Sequence, residues 1–417
     1  MTPVNILVFN CGSSSLKYKL IRMPEGRELA GGEAQRVGPR TARPSRIVHR
    51  SEGAVAERRV EMPNHTVAFE QVTSLLSIRR GHSPDAFAHR LVHGGSEFTG
   101  HTILDQRAFE RLGAIRDLAP MHNPPAVDLI EACRRLRPDL PQALVFDTVF
   151  HETIPECART YALPQRIRAE LGLRKYGFHG ISHAYVAAEC ARFLNIDPDR
   201  LNAVSCHLGS GGASLCAIVH GRSVDNTMGY SPLQGLVMST RCGDLDPAVA
   251  LSLVANSDGD PAAAEALLSR RSGLLGLSGA SSDLRDVLDP ACRSDADAER
   301  FDLTRGVYLW RLRKYLGAYL AVVGGAHAVI FTDTIGQSVP VVRWAACTGM
   351  EVFGLHMDSE RNESVSDLPA DVAADESKVR IVVIKTDEES AIARCTYEML
   401  QPRCGAKGAG PNEHAGS

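Results

Sequence analysis

The sequence predicts an α/β protein built from two related halves, and three observations carry that prediction. A strand, a loop of small residues and a returning strand occupy residues 4–21, and the same grammar recurs at 203–219. Other apolar, strand-like runs stop abruptly at polar residues, as strands do in open α/β sheets whose ligands gather at the carboxyl ends. Stretches with helical spacing lie between these runs. At 417 residues the chain is also too long for one ordinary hydrophobic core.

Taken in order, residues 4–9 are mostly β-branched or bulky and read as a strand, and Gly12-Ser13-Ser14-Ser15 makes a turn. The return alternates, with Leu16, Tyr18 and Leu20 on one face and Lys17 and Lys19 on the other. Arg36, Arg40, Arg43, Arg46, Arg50, Arg58 and Arg59 concentrate basic charge without interleaved aromatics, so they read as a solvated loop or an edge hairpin. Helical patterns cover 124–135, 182–193, 247–254 and 305–323. Leu144-Val145-Phe146 stops at Asp147, Val329-Ile330-Phe331 stops at Thr332, and Val382-Val383-Ile384 stops before Asp387-Glu388. The second hairpin runs from 203–208 through Gly209-Ser210-Gly211-Gly212 into 213–219. Thr386 with Glu389 forms a capping-box signature for a last helix near 388–400. Residues 402–417, rich in Gly, Ala and Pro, are predicted to be a disordered tail.

Composition excludes several classes of function. The chain is 44% hydrophobic and 23% charged with a formal net charge of -3, which gives no reason to expect a nucleic-acid or membrane partner. Its 11 cysteines form no CxxC pair, so metal clusters and redox pairs are poorly supported. Scattered thiols and an N-terminus without a signal-peptide pattern predict a reducing, cytoplasmic setting. The longest apolar stretch, 319–331, falls short of the ~20 residues a membrane helix needs.

No GxxxxGK[ST] sequence is present, so this is not a P-loop nucleotide enzyme. A tight hairpin of small residues can still hold phosphate, because its backbone N–H groups converge on an anion. Lys17 adds positive charge just beyond the first loop. Alone, such a loop is more often an ordinary β-turn. Arg90 stands inside a strand pattern, where an unpaired charge is expensive. His122 sits in a proline-rich turn, His179 is flanked by Gly177 and Gly180, and Arg241 precedes a helix start. Read singly, Arg90 is equally a structural ion pair, the histidines are capped loop residues, and Arg241 is a helix-start residue.

Read together, these segments resemble a known family. Residues 8–17, Val-Phe-Asn-Cys-Gly-Ser-Ser-Ser-Leu-Lys, look like the N-terminal signature of the acetate and propionate kinases. Residues 89–95, 119–125, 145–151, 175–183, 240–247, 272–285 and 386–394 match further blocks of that family in its order. The resemblance implies two duplicated ribonuclease-H-like domains of the actin-like ATPase superfold, closing on a central cleft. One would span 1–148 completed by 389–401, and the other, nucleotide-binding, 149–388.

The resemblance further implies reversible transfer of a phosphoryl group from ATP to acetate, giving acetyl phosphate and ADP, in a Mg²⁺-dependent homodimer (Mn²⁺ being a possible substitute). Asn10 and Glu388 would help hold the metal, and Lys17 would lie near the donor phosphates. Arg90 and Arg241 would pair with the carboxylate and the moving phosphoryl group. His179 would donate to its equatorial oxygens, and His122 would line the same space. Val92, Met121, Phe178 and Pro232 correspond to the pocket for the acyl methyl. His207, Leu208, Gly209, Ser210, Gly211, Asp283, Leu284, Arg285 and Gly336 fall in nucleotide-binding segments. Asp147 is the usual candidate base, but a carboxylic acid with a pKa near ~4.3 is already ionised at neutral pH. Asp147 is therefore expected to orient metal-bound water or Arg241.

Departures from the family cluster on the donor side. Ser210 replaces an asparagine, and Asp333, Thr334 and Gln337 replace alanine, glycine and glutamate in the segment 331–338. Gln234, Ser239 and Ala126 also depart. A β-branched Thr334 suits neither positive φ nor close approach of a base, and Asp333 would repel a phosphate. These departures leave open a donor such as pyrophosphate or a non-catalytic homologue that binds acyl phosphate; propionate or another short acid stays open as acceptor, because one methylene is worth only about 1–3 kcal/mol in a pocket.

Overall fold

A computed structural model of the protein describes residues 2–12, 14–38, 43–79, 81–119 and 123–401. The candidate residues Met121 and His122 and the tail 402–417 lie outside the described residues.

Fourteen strands among the described residues make two sheets. The first contains β1 (Val4–Cys11), β2 (Ser15–Met23), β3 (Arg27–Gln35), β4 (Arg46–Ser51), β5 (Ala54–Arg59), β6 (Ala86–Leu91), β7 (Thr102–Ile103) and β8 (Gln142–Phe146). Its order is β5-β4-β3-β2-β1-β6-β8-β7. The second contains β9 (Ala203–Leu208), β10 (Ala213–Val219), β11 (Arg222–Asn226), β12 (Ala328–Thr332), β13 (Ala370–Asp371) and β14 (Arg380–Val383), in the order β11-β10-β9-β12-β14-β13.

The duplication is explicit in the pairing. β3-β2-β1 and β11-β10-β9 are antiparallel meanders, and β1-β6-β8 and β9-β12-β14 continue them as parallel strands. The parallel strands are buried on both faces, which explains why β8, β9 and β12 read as continuous apolar runs. Both hairpin loops close alike. Gly12 N–H donates to Ser15 O at 2.9 Å, and Gly209 N–H donates to Gly212 O at 3.0 Å. Of the arginine-rich segment, Arg46, Arg50, Arg58 and Arg59 lie in an edge hairpin whose outer strand, β5, is wholly exposed, while Arg40 lies outside the described residues; charge along such an edge blocks further strand pairing.

Two helices exchange partners between the halves. The helix Gly180–Phe193 follows β8 of the first sheet, yet its Val186, Ala187 and Cys190 pack with Ala203, Cys216 and Ala328 of the second. The helix Glu388–Leu400 follows β14 of the second sheet, yet its Ile392, Ala393 and Tyr397 cover Ile6, Val8, Ala86 and Ala143 of the first. The two helices also pack on each other.

Most helical segments read in the sequence form, as Asn123–Leu136, Gly180–Phe193, Pro247–Ala255 and Glu388–Leu400. The long helix starts earlier than expected, at Ala298–Val323. The last helix is not capped by Thr386. Its N-cap is Asp387, whose carboxylate accepts from Ser390 N–H at 3.1 Å, while the Thr386 hydroxyl lies 2.8 Å from Ser182 Oγ.

Candidate active site

The cleft lies where the carboxyl ends of β1, β6 and β8 face the hairpin β9–β10. A cavity of about 270 Å³ is lined by Asn10, Lys17, Arg90, Val92, Asp147, Phe178, His179, Gly212, Pro232 and Arg241. A second cavity shares Asn10, Lys17, Arg90, His179 and Gly212 with it and continues past His207 to Asp333, Thr386 and Glu388. The structure thus brings together most of the catalytic, acyl-pocket and metal candidates.

On the first wall, Arg90 projects from β6 and is fully engaged. Its Nε and Nη2 donate to the two oxygens of Asp147 at 3.1 and 2.6 Å, and Nη1 donates to Asn10 Oδ1 at 3.1 Å. Glu388 Oε2 stands 3.5 Å from the same Nη1. Burial works against this guanidinium, but Asp147 and Glu388 outweigh it and hold its pKa above the usual value. Asp147 is 1% exposed, and both its oxygens serve Arg90 rather than Arg241 or solvent. The expectation that Asp147 orients Arg241 is therefore corrected: strand register places it opposite the end of β6.

On the second wall, Arg241 has no carboxylate within ion-pairing distance among the described residues. Its Nη1 donates to Pro232 O at 3.3 Å and contacts Met238 Sδ at 3.7 Å. Burial alone lowers its pKa. An arginine held in a cleft without an anion is prepared to receive one.

His179 is placed by two glycines. It takes a left-handed conformation (φ 58°) ahead of the helix Gly180–Phe193. A Cβ at Gly177 would stand 2.6 Å from the His151 ring, and one at Gly180 would stand 2.1 Å from Asp147 O, so only glycine lets the turn close. A Cβ at Gly212 would lie 3.4 Å from His179 Nε2 and 3.5 Å from Arg241 Nη1, so the second hairpin, the histidine and the arginine meet at one point.

Behind His179 runs a buried polar chain. Ser214 Oγ lies 2.9 Å from His179 Nδ1 and 2.8 Å from His183 Nε2, and His183 Nδ1 lies 2.9 Å from Ser205 Oγ. Burial, reinforced by neighbouring histidines, drives both imidazoles well below their usual pKa, so both are neutral at pH 7. His183, Ser205 and Ser214 were missed as site residues; the block 175–183 contained His183 but gave no sign of its serine partners.

The donor-side candidates are more scattered. Leu208 is a core residue, Gly209, Ser210 and Gly211 form the loop, and Ser239 Oγ donates to Gly211 O at 3.0 Å. Asp283 pairs with Arg285 at 2.5 Å at the start of a short helix, and Leu284 is in the core; none of the three lines either cavity. Gly336 is buried behind β9, and its carbonyl accepts from the fully buried Arg343 at 2.9 Å. Arg343 left no signal in the sequence. The positive φ expected at Thr334 belongs instead to Asp333 (φ 63°), because the turn leaving β12 comes one residue earlier.

The oxygens of Asn10 and Glu388 converge beside Arg90. Two oxygen ligands from protein suit Mg²⁺, which keeps most of its shell as water and phosphate. Among the described residues there is no group of three or more His, Cys, Asp or Glu side chains placed to hold a metal ion.

Comparison with known proteins gives one answer. The Acetokinase family model matches residues 5–394. The acetate kinase of Dictyoglomus turgidum is 40% identical over 405 residues, covering 95% of this chain and 98% of that protein. Crystal structures of the Porphyromonas gingivalis acetate kinase (TM-score 0.88, 38% identity) and a Francisella tularensis propionate kinase (TM-score 0.87, 32% identity) each cover 95% of this chain and 100% of theirs. With two matching sheets, a cleft between them and homology along nearly its whole length, the chain belongs to the acetokinase family.

Proposed function

We propose that the chain catalyses the acetate kinase reaction, with ATP as donor and acetate as acceptor. The observation that carries this reading is Arg241, a guanidinium without a carboxylate partner among the described residues, across a small cavity from an Arg90 already neutralised by Asp147.

A carboxylate oxygen of acetate attacks the terminal phosphorus of ATP, the bond to the bridging oxygen breaks, and ADP leaves with that electron pair. The acid is already ionised, so no proton needs removing. Asp147, with both oxygens on Arg90, is a positioning residue and not a base. Such a transfer needs alignment and neutralisation of spreading negative charge. Arg241 supplies an anion fork. Ser214 has one hydroxyl proton to share between two imidazoles. Accepting from His183 Nε2–H and donating to His179 Nδ1, it leaves the His179 proton on Nε2, beside Gly212, where it donates to the moving phosphoryl oxygens. Val92, Phe178 and Pro232 enclose the acyl methyl, and Lys17 lies towards the donor phosphates. Asn10 and Glu388 would hold Mg²⁺, or Mn²⁺, which supplies further neutralisation of the phosphates.

On this reading residues 1–148 with 389–401 form the first domain and 149–388 the second, nucleotide-binding one. A homodimer is also proposed, supported by the apolar helix Pro247–Ala255, which buries none of its residues and leaves Leu251 72% exposed. The described residues contain no helix long and apolar enough to cross a membrane, and we place the protein in the cytoplasm. The test is a hydroxamate assay with acetate, ATP and Mg²⁺. Acyl phosphate is expected, and its absence from folded protein overturns the proposal.

A further inference from the structure

The second glycine loop carries a feature that the transfer reaction does not require. His207, at the end of β9, has both ring nitrogens engaged. Nδ1 lies 2.8 Å from Ser182 Oγ, and Nε2 lies 3.1 Å from Asp333 Oδ2. The His207 ring stacks on His179 with centroids 4.2 Å apart, so it stands directly behind the transfer site. The Asp333 carboxylate lies against the loop itself, with Oδ2 only 2.4 Å from where a Cβ of Gly209 would be.

Asp333 is held there at some cost. Its φ of 63° is a left-handed conformation for a residue with a side chain. Oδ1 accepts from the Thr334 N–H at 2.6 Å and from its hydroxyl at 3.0 Å, which locks the carboxylate inward. Burial pushes its pKa up, but His207 and the Thr334 donors outweigh burial and keep it ionised. One residue earlier, Thr332 Oγ1 is buried with no hydrogen-bond partner. A strained backbone beside an unsatisfied hydroxyl marks a local arrangement that packing alone does not favour.

We propose that Asp333 is a donor-specificity residue: its carboxylate occupies, on His207 and against the glycine loop, the place of a donor phosphate oxygen, so a polyphosphate binds only by displacing it. The inference rests on the acetate kinase reading for the identity of the donor side. The same cavity already holds Glu388 and Glu389, against Lys17 and Arg90. Removing the Asp333 charge frees the His207 Nε2 donor and lifts a like-charge repulsion against the incoming phosphates.

The experiment is calorimetric titration of the full chain with MgADP and, separately, pyrophosphate, without acetate. Wild type is compared with Asp333→Asn, which tolerates the left-handed φ, and with Asp333→Gly, which removes the strain. Both variants are expected to bind MgADP about tenfold more tightly, and the ATP KM should fall while the acetate KM stays within twofold. Tightening of pyrophosphate as well would show that the contact is to phosphate itself; tightening of MgADP alone would assign it to the nucleotide donor. Unchanged or weakened MgADP binding in both variants overturns the proposal and makes Asp333 a support for His207. Because binding is read without turnover, a chain lacking acetate kinase activity would still report on Asp333.

Discussion

The two walls of the cleft treat their arginines in opposite ways. Arg90, on the first, is held by Asp147, Asn10 and Glu388, so its charge is spent inside the protein. Arg241, on the second, has a carbonyl and a thioether as its partners among the described residues, and on the proposed reading its charge serves a ligand. On the proposed reading one wall serves rigidity and the other anion binding. Mutations should therefore separate stability from activity.

The largest effect is expected for Arg241→Ala, with kcat/KM falling about 10³-fold or more, in the range for an arginine that stabilises a transferring phosphoryl group. Removing a half-buried cation with no carboxylate partner among the described residues should leave the unfolding midpoint unchanged or raise it. A large loss of stability in this variant would erase the contrast between the walls. Asp147→Asn should do the reverse, lowering stability by about 3 kcal/mol in denaturant unfolding, because it leaves Arg90 buried with a weaker partner. His179→Ala removes one aligned donor and should cost about 10² in kcat, with little change in acetate KM. The smallest effect of a single substitution is the loss of one histidine's share of the pH dependence. Burial drives His179 and His183 well below the usual range and lowers His151 to about 4. The unfolded chain then binds protons that the folded one refuses. Stability is full above pH ~6.5 and falls as pH descends towards 4, by up to about 1.4 kcal/mol per pH unit for each histidine. Urea midpoints at pH 7.5 and 5.5 measure this, and His183→Asn should flatten the slope.

Much of this architecture was legible in the chain. The hairpins at 4–21 and 203–219 announced themselves because a buried strand, a small-residue turn and a return leave a local pattern. The ends of β8, β12 and β14 were visible because an apolar run stops where solvent or ligand begins. Arg90 and Arg241 could be named as candidates, but not told apart. Whether an arginine is neutralised depends on a carboxylate 57 residues away, and nothing local encodes that pairing. The hydrogen-bonded chain from Ser205 through His183 and Ser214 to His179 escaped for the same reason, since it joins β9, β10 and a helix from before them. At Asp333 the sequence directed attention to the right segment and the wrong residue, because a shift of one position in a turn moves the strained φ without altering the composition.

The exchanged helices have a consequence for how the chain is made. The first sheet is translated early, yet the face formed by Ile6, Val8, Ala86, Ala88, Ala143 and Val145 is covered by the helix Glu388–Leu400. Until that helix leaves the ribosome, the nascent amino-terminal half carries an uncovered apolar sheet face of the kind chaperones bind. The half made first is therefore the half completed last.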